Sequence, residues 1–238
     1  MAVTPAGTPT STTNGAGATS LTVSFTVPPD GDLLAVSVHR GVSGGSGNAT
    51  SVTYNTDPCT AIPSASASDG GWPQVSGWGR IAPDVGTFNV VANFDVANQA
   101  AVIACAWAGA HQVTPFGTAA NANGSAGPAT VNAASAVDGV VYGALMSDSE
   151  AGVTPSGTEI FETAPIGSDT IGAAQYYPGT GSPVAVTWTQ PGTGWAVFAV
   201  GIQPAAGAGG GQPTLRRLGL ASRINAVRPL GVEGVSLF

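Results

Sequence analysis

Apolar and polar residues alternate along this chain with a period of two, the mark of half-buried strands, and no stretch carries a convincing helical period. Leu21, Val23, Phe25 and Val27 are each separated by a single polar residue. Phe88, Val90, Ala92 and Phe94 fall on one face of a second alternating stretch, 87–96. Leu33–His39 is more continuously apolar, Ala100–Ala108 almost wholly so, and the latter reads as a central strand buried on both faces. Gly194–Ile202 is the last strong strand.

Turn chemistry separates these runs. Pro28-Pro29-Asp30-Gly31-Asp32, Pro83-Asp84-Val85-Gly86 and Thr154-Pro155-Ser156-Gly157 reverse the chain, and Gly70-Gly71-Trp72-Pro73 breaks it. Further strands are expected at 50–55, 59–66, 75–82, 129–134, 139–147, 170–177 and 184–189. Residues 1–19, rich in Thr, Ser, Gly and Ala, read as an irregular lead-in or an edge strand, and 41–47 and 109–127 read as loops. Eleven or twelve short strands without a helix predict an all-β chain, a jelly-roll-like β-sandwich with an extended C-terminal arm.

Composition supports a folded body with an unusual surface. Charged residues make up 8% of the 238, there is no lysine, and Gly (35) and Pro (18) are abundant. A surface of small polar residues is weakly protected against association by charge, so homo-oligomerisation is expected. The charge is also unevenly placed. Residues 1–206 hold Arg40 and Arg80 against twelve carboxylates, a net of −10. Residues 207–238 hold Arg216, Arg217, Arg223 and Arg228 against Glu233, a net of +3. An acidic body offers no basic face to displace counterions, which argues against nucleic acid as a partner. No apolar run approaches the roughly 18 residues of a membrane span, and Met1–Gly7 lacks the charged and apolar regions of a secretory leader.

The expected organisation is a sandwich domain over 1–204, a Gly-rich linker over 205–214 and a basic, apolar arm over 215–238. The arm mixes its four Arg with aliphatic residues, among them Leu230 and Leu237, and ends in Phe238. Those seven residues are the expected partner contacts: Arg forks suit carboxylates at interfaces, and the apolar side chains exceed what a solvated tail needs.

Candidate chemistry is sparse. His39 and His111 lie in separate segments, and Cys59 and Cys105 have no metal-binding spacing, so neither metal nor cofactor is expected. Pairing of the two cysteines is not decided by their spacing, and Cys105 reads as a small buried hydrophobe. No nucleophile elbow or phosphate-binding loop is visible. Asp30/Asp32 and Asp148/Glu150 are too few for calcium and read as turn acids. Glu159 and Glu162 could flank a glycosidic bond only if one face carried both, and positions three apart in a regular strand face opposite ways. Trp107 and Trp195 read as core, and Trp72 is the exposed aromatic expected to meet a ligand, if one exists.

The layout resembles β-sandwich proteins, distantly like concanavalin lectins, of the virions and tails of tailed bacteriophages. The residues that carry the resemblance are Pro29-Asp30-Gly31-Asp32-Leu33-Leu34-Ala35, Gly77-Trp78-Gly79-Arg80, Ala101–Trp107, Thr154-Pro155-Ser156-Gly157 and Gly194-Trp195-Ala196-Val197 running to Gln203-Pro204. The Arg-rich aliphatic segment ending in Gly-Val-Ser-Leu-Phe is similar to tails of such virion proteins. The resemblance implies a non-enzymatic decoration, cement, head-fibre or minor tail protein, assembled in a host cytoplasm into the virion. Its partners would be the major capsid protein or another virion protein, and a trimer is favoured. It also leaves open a carbohydrate- or receptor-binding module of a tail or spike.

Overall fold

The computed structural model describes residues 1–41, 49–70, 72–149, 151–167, 170–192 and 194–206. Fifteen strands occur in chain order among them: β1 (Thr4–Val27), β2 (Leu33–Arg40), β3 (Ser51–Tyr54), β4 (Asp57–Pro58), β5 (Thr60–Ser68), β6 (Gln74–Ile81), β7 (Gly86–Ala108), β8 (Ala120–Gly124), β9 (Ala129–Ala133), β10 (Val140–Asp148), β11 (Thr154–Pro155), β12 (Thr158–Glu162), β13 (Thr170–Pro178), β14 (Val184–Thr189) and β15 (Trp195–Ile202). The body is an all-β sandwich of antiparallel sheets. No helix among the described residues is long and apolar enough to cross a membrane.

The sandwich is built around one long ribbon. β1 and β7 pair over their whole lengths, Thr4 opposite Ala108 and Val27 opposite Gly86. Register shifts on either side of Ala18 mark bulges, which bend a ribbon and sharpen its twist. The bend separates the two halves. The other edge of β7 carries β3 along Val90–Asn93 and β2 along Ala100–Trp107, with β6 and β5 beyond β2 and β4 beyond β3. The sheet therefore folds over itself and nearly closes. Leu21, Val23, Phe25, Val90 and Ala92 from one half pack on Leu34, Val36, Val102 and Ala104 from the other.

Two more apolar interfaces stack on this one. The opposite face of β2 and β7 (Leu33, Ala35, Ile103, Trp107) meets Tyr142, Ala144, Phe198 and Val200 of the sheet β12-β13-β10-β15-β8. The far face of that sheet, with Leu145, Ala173 and Val197, meets Val131, Val186 and Trp188 of the small sheet β11-β14-β9. Strands inside the stack are covered on both faces, so β2, β10 and β15 are buried almost throughout. Strands on the outside alternate, as in Leu21–Val27 and β9. Each fully buried Val, Leu or Phe contributes about 1.5–3 kcal/mol relative to exposure, which is how a chain so poor in charge holds together.

Several expectations change. Residues 4–19 are the first half of β1 rather than an irregular lead-in. Their small side chains suit the place: at Gly15 a Cβ would lie 3.1 Å from the Gly167 backbone nitrogen. The expected loop at 109–127 contains β8, and β12 lies in a stretch assigned no strand. Backbone pairing also passes residue 204, with Ala205 N–H donating to Gly109 C=O at 2.7 Å. The remainder of the expected linker and the whole arm lie outside the described residues.

Register also fixes which loops share an end. Leu33 is opposite both Ile81 and Trp107, and Val140 is opposite both Pro178 and Ile202. Bridges Ala110–Pro204 and Phe116–Ile202, with Val3 N–H donating to Asp138 C=O at 2.7 Å, join the two large sheets there. The turns at 28–32 and 82–85, the loops at 109–116 and 136–139, and the last described residues thus lie at one end, called the exit end below.

Candidate functional site

The main groupings of chemistry-bearing side chains are in the inter-sheet core, at the bend of the ribbon and in a groove at the exit end. In the core, Ser37 and His39 stand two apart on β2 and so share a face. Ser37 Oγ and His39 Nε2 are 2.8 Å apart, and His39 Nδ1 lies 2.9 Å from the Leu145 carbonyl oxygen of β10. A carbonyl only accepts, so Nδ1 carries the proton and Nε2 accepts from the serine hydroxyl. Burial lowers the imidazole pKa to about 4, opposed by the bond to Leu145. The ring is neutral and wedged: a Cβ at Gly172 of β13 would lie 2.7 Å from its Cγ. A serine–histidine pair thus exists that chain order alone did not single out. It is sealed from solvent, and a backbone carbonyl orients it. Its effect is to lock the sheets in register.

Cys105, on the same inter-sheet face, is buried and unpaired, and burial pushes its thiol up to about 12. Trp107 Nε1 and Tyr142 Oη face this sulfur without closing hydrogen bonds of normal geometry. Cys59 is also free and buried, in the separate core enclosed by the folded ribbon, with its thiol pushed up to about 11. The two cysteines occupy different cores and form no disulfide.

At the bend, Arg40 is buried and spans three strands. Its Nε donates to Asn98 Oδ1 at 2.5 Å and its Nη1 to Gln74 Oε1 at 2.9 Å, while Asn98 Nδ2 donates to Val96 C=O at 2.8 Å. Burial lowers the guanidinium pKa and Asp95 opposes the shift. This cation pins the bulged segment of β7 to β2 and β6.

The remaining sequence candidates separate. Trp107 and Trp195 are buried as expected. Trp72 is half-buried, and its indole nitrogen is closed off from solvent without a partner among the described residues, so it is not the open aromatic that its turn suggested. Glu159 and Glu162 do share a side of β12, contrary to the expectation for a regular strand. A bulge sets Glu159 opposite Gln175 and Glu162 opposite Ala173, two apart on β13. Glu162 Oε2 accepts the Val153 N–H at 2.9 Å, which ties down the chain before β11. Asp32 Oδ2 accepts the Gly109 N–H at 2.9 Å, joining two loops of the exit end. No group of three or more His, Cys, Asp or Glu capable of holding a metal ion occurs among the described residues.

The groove at the exit end, about 430 Å³, is lined by Pro58, Ile62, Pro63, Arg80, Ile81 and Phe116, among others. The Phe116 ring lies over Gly79, where a Cβ would come within 2.3 Å of it. Arg80 forms an ion pair with Asp57 and donates from Nη1 to the Pro58 carbonyl at 3.2 Å. Of the two guanidiniums in the described body it is the partly exposed one. The groove combines an apolar floor, one aromatic ring and a half-neutralised cation. No residue of it was singled out from sequence for this role, because its walls come from three separate segments.

Compared with protein-family models, with curated proteins and with solved structures, the chain matches none. The seven expected partner contacts, Arg216, Arg217, Arg223, Arg228, Leu230, Leu237 and Phe238, lie outside the described residues.

Proposed function

We propose that this chain is a non-enzymatic structural protein of a tailed-phage particle, a decoration or cement protein attached to the major capsid protein or another virion protein through its C-terminal segment. The observation that carries this reading is a division of labour along the chain. In the body, His39, Arg40, Cys59, Cys105 and Tyr142 are buried in the packing between strands, and Arg80 is held by Asp57. The cations left over, together with a run of aliphatic residues, are collected in 215–238. An acidic β stack with few charged residues, whose recognition chemistry is gathered in its C-terminal segment, is suited to assembly. The sandwich-like layout of virion proteins named above agrees with it, and a trimer is the favoured assembly. The test is quantitative mass spectrometry of purified particles. The reading expects a constant ratio of this chain to the main shell protein, and a trace, variable amount removed by further purification overturns it.

A second reading is favoured by the groove at Arg80: a carbohydrate- or receptor-binding module of a tail or spike, with Phe116 as the stacking ring. Under it, glycan-array binding by the purified protein is lost in Arg80→Ala and Phe116→Ala, and an array without signal removes it.

A further inference from the structure

Six large apolar side chains are exposed among the described residues: Met1, Ile81, Val85, Val96, Val113 and Val137. Single exposed apolar residues are ordinary on any protein. Their placement here is not scattered. Ile81 closes β6 opposite Leu33, and Val85 lies in the turn that follows. Val113 lies in the 109–116 loop and Val137 in the 136–139 loop, both at the exit end. Met1 lies beside Gly109, its Cγ 3.5 Å from where a Cβ would stand. Five of the six therefore share the exit end, and only Val96, at the bend of the ribbon, stands apart.

The same loops carry Asp30, Asp32, Asp84 and Asp138. The one guanidinium of the described residues near them, Arg80, is engaged by Asp57. Two grooves open at this end: the one at Phe116, and another of about 340 Å³ between residues 2–5, 137–140 and 176–179. Apolar side chains set among polar, like-charged neighbours, with concavities beside them, have the make-up of a protein interface: an apolar centre, a polar rim, and a charge that selects its complement.

We propose that the exit end is the docking face of the body, and that its partner is a protein surface presenting aliphatic side chains ringed by Arg or Lys. The proposal rests on the attachment reading above and adds where on the body the contact is made. The described residues finish at this same end, with Pro204 bridged to Ala110. A second copy of the body presenting its own exit end is a poor occupant, because the four aspartates would meet four of their own kind.

The test places a photo-crosslinking residue singly at Val113, Val137 and Val96 of the full chain, assembled on particles that are then purified and irradiated. The expected result is covalent products with a particle protein from positions 113 and 137 and none from 96. A chain retained on particles that crosslinks only from 96, from all three sites alike, or from none of them overturns the docking face while leaving attachment intact. A chain absent from purified particles overturns the attachment reading and this inference with it. As a second readout, Ile81→Asp with Val113→Asp lowers occupancy about tenfold or more, as loss of central interface contacts does, and Val96→Asp leaves it unchanged. Equal loss from Val96→Asp contradicts the assignment.

Discussion

At the residue scale, the most informative side chain is His39. The sequence showed it as one of only two histidines, but not its role, because the carbonyl it bonds belongs to residue 145, more than a hundred positions away. Its titration gives a measurable consequence. Below pH 6.5 the unfolded chain takes up a proton that the folded imidazole, with its pKa near 4, refuses. The contribution of this ring is therefore fully present above pH 6.5 and is lost as pH falls toward 4, about 3 kcal/mol for this one group. Urea unfolding of the wild type and of His39→Gln at pH 7, 5.5 and 4.5 tests this. The variant should be less stable at pH 7 and should lose less on acidification. Parallel profiles would show that the ring is not buried neutral. Cys105, by contrast, was legible as buried from its apolar neighbours, since a thiol in such a run has nowhere else to point.

At the element scale, the strands buried on both faces were the easiest to read. Ala100–Ala108 and Gly194–Ile202 are so continuously apolar that only a position inside a stack accommodates them. The first half of β1 was not legible. It carries Thr, Ser, Gly and Ala without alternation, and its conformation is set by β7, to which Thr4–Asn14 pairs across Ala100–Ala108. Strand formation there is tertiary: the partner supplies the preference that the segment lacks. The bulge in β12 was hidden for a related reason, and it reverses which carboxylates share a face. The role of β1 is testable by deletion. Removing residues 2–18 strips one edge from the buried half of β7 and should abolish cooperative thermal unfolding, with aggregation through the exposed edge. If the shortened protein unfolds cooperatively at an unchanged temperature, the segment is the dispensable lead-in that its composition suggests.

At the scale of the whole molecule, the fold class followed from the spacing of strands and turns. The stacking of three apolar interfaces did not, because it depends on a bend near Ala18 that no single residue announces. The charge division between body and C-terminal segment was fully present in the sequence and remains the basis of the functional proposal. The measurement that tests it most directly compares the full chain with a version ending at Ala206, both supplied during particle assembly. The truncated body should keep a β-rich circular dichroism spectrum and cooperative unfolding, since among the described residues the last named strand ends at Ile202 and the last backbone bond is made by Ala205. Quantified against the shell protein in purified particles, the full chain should appear at a fixed ratio and the folded truncation should be missing. A folded truncation at normal occupancy would contradict attachment through the C-terminal segment.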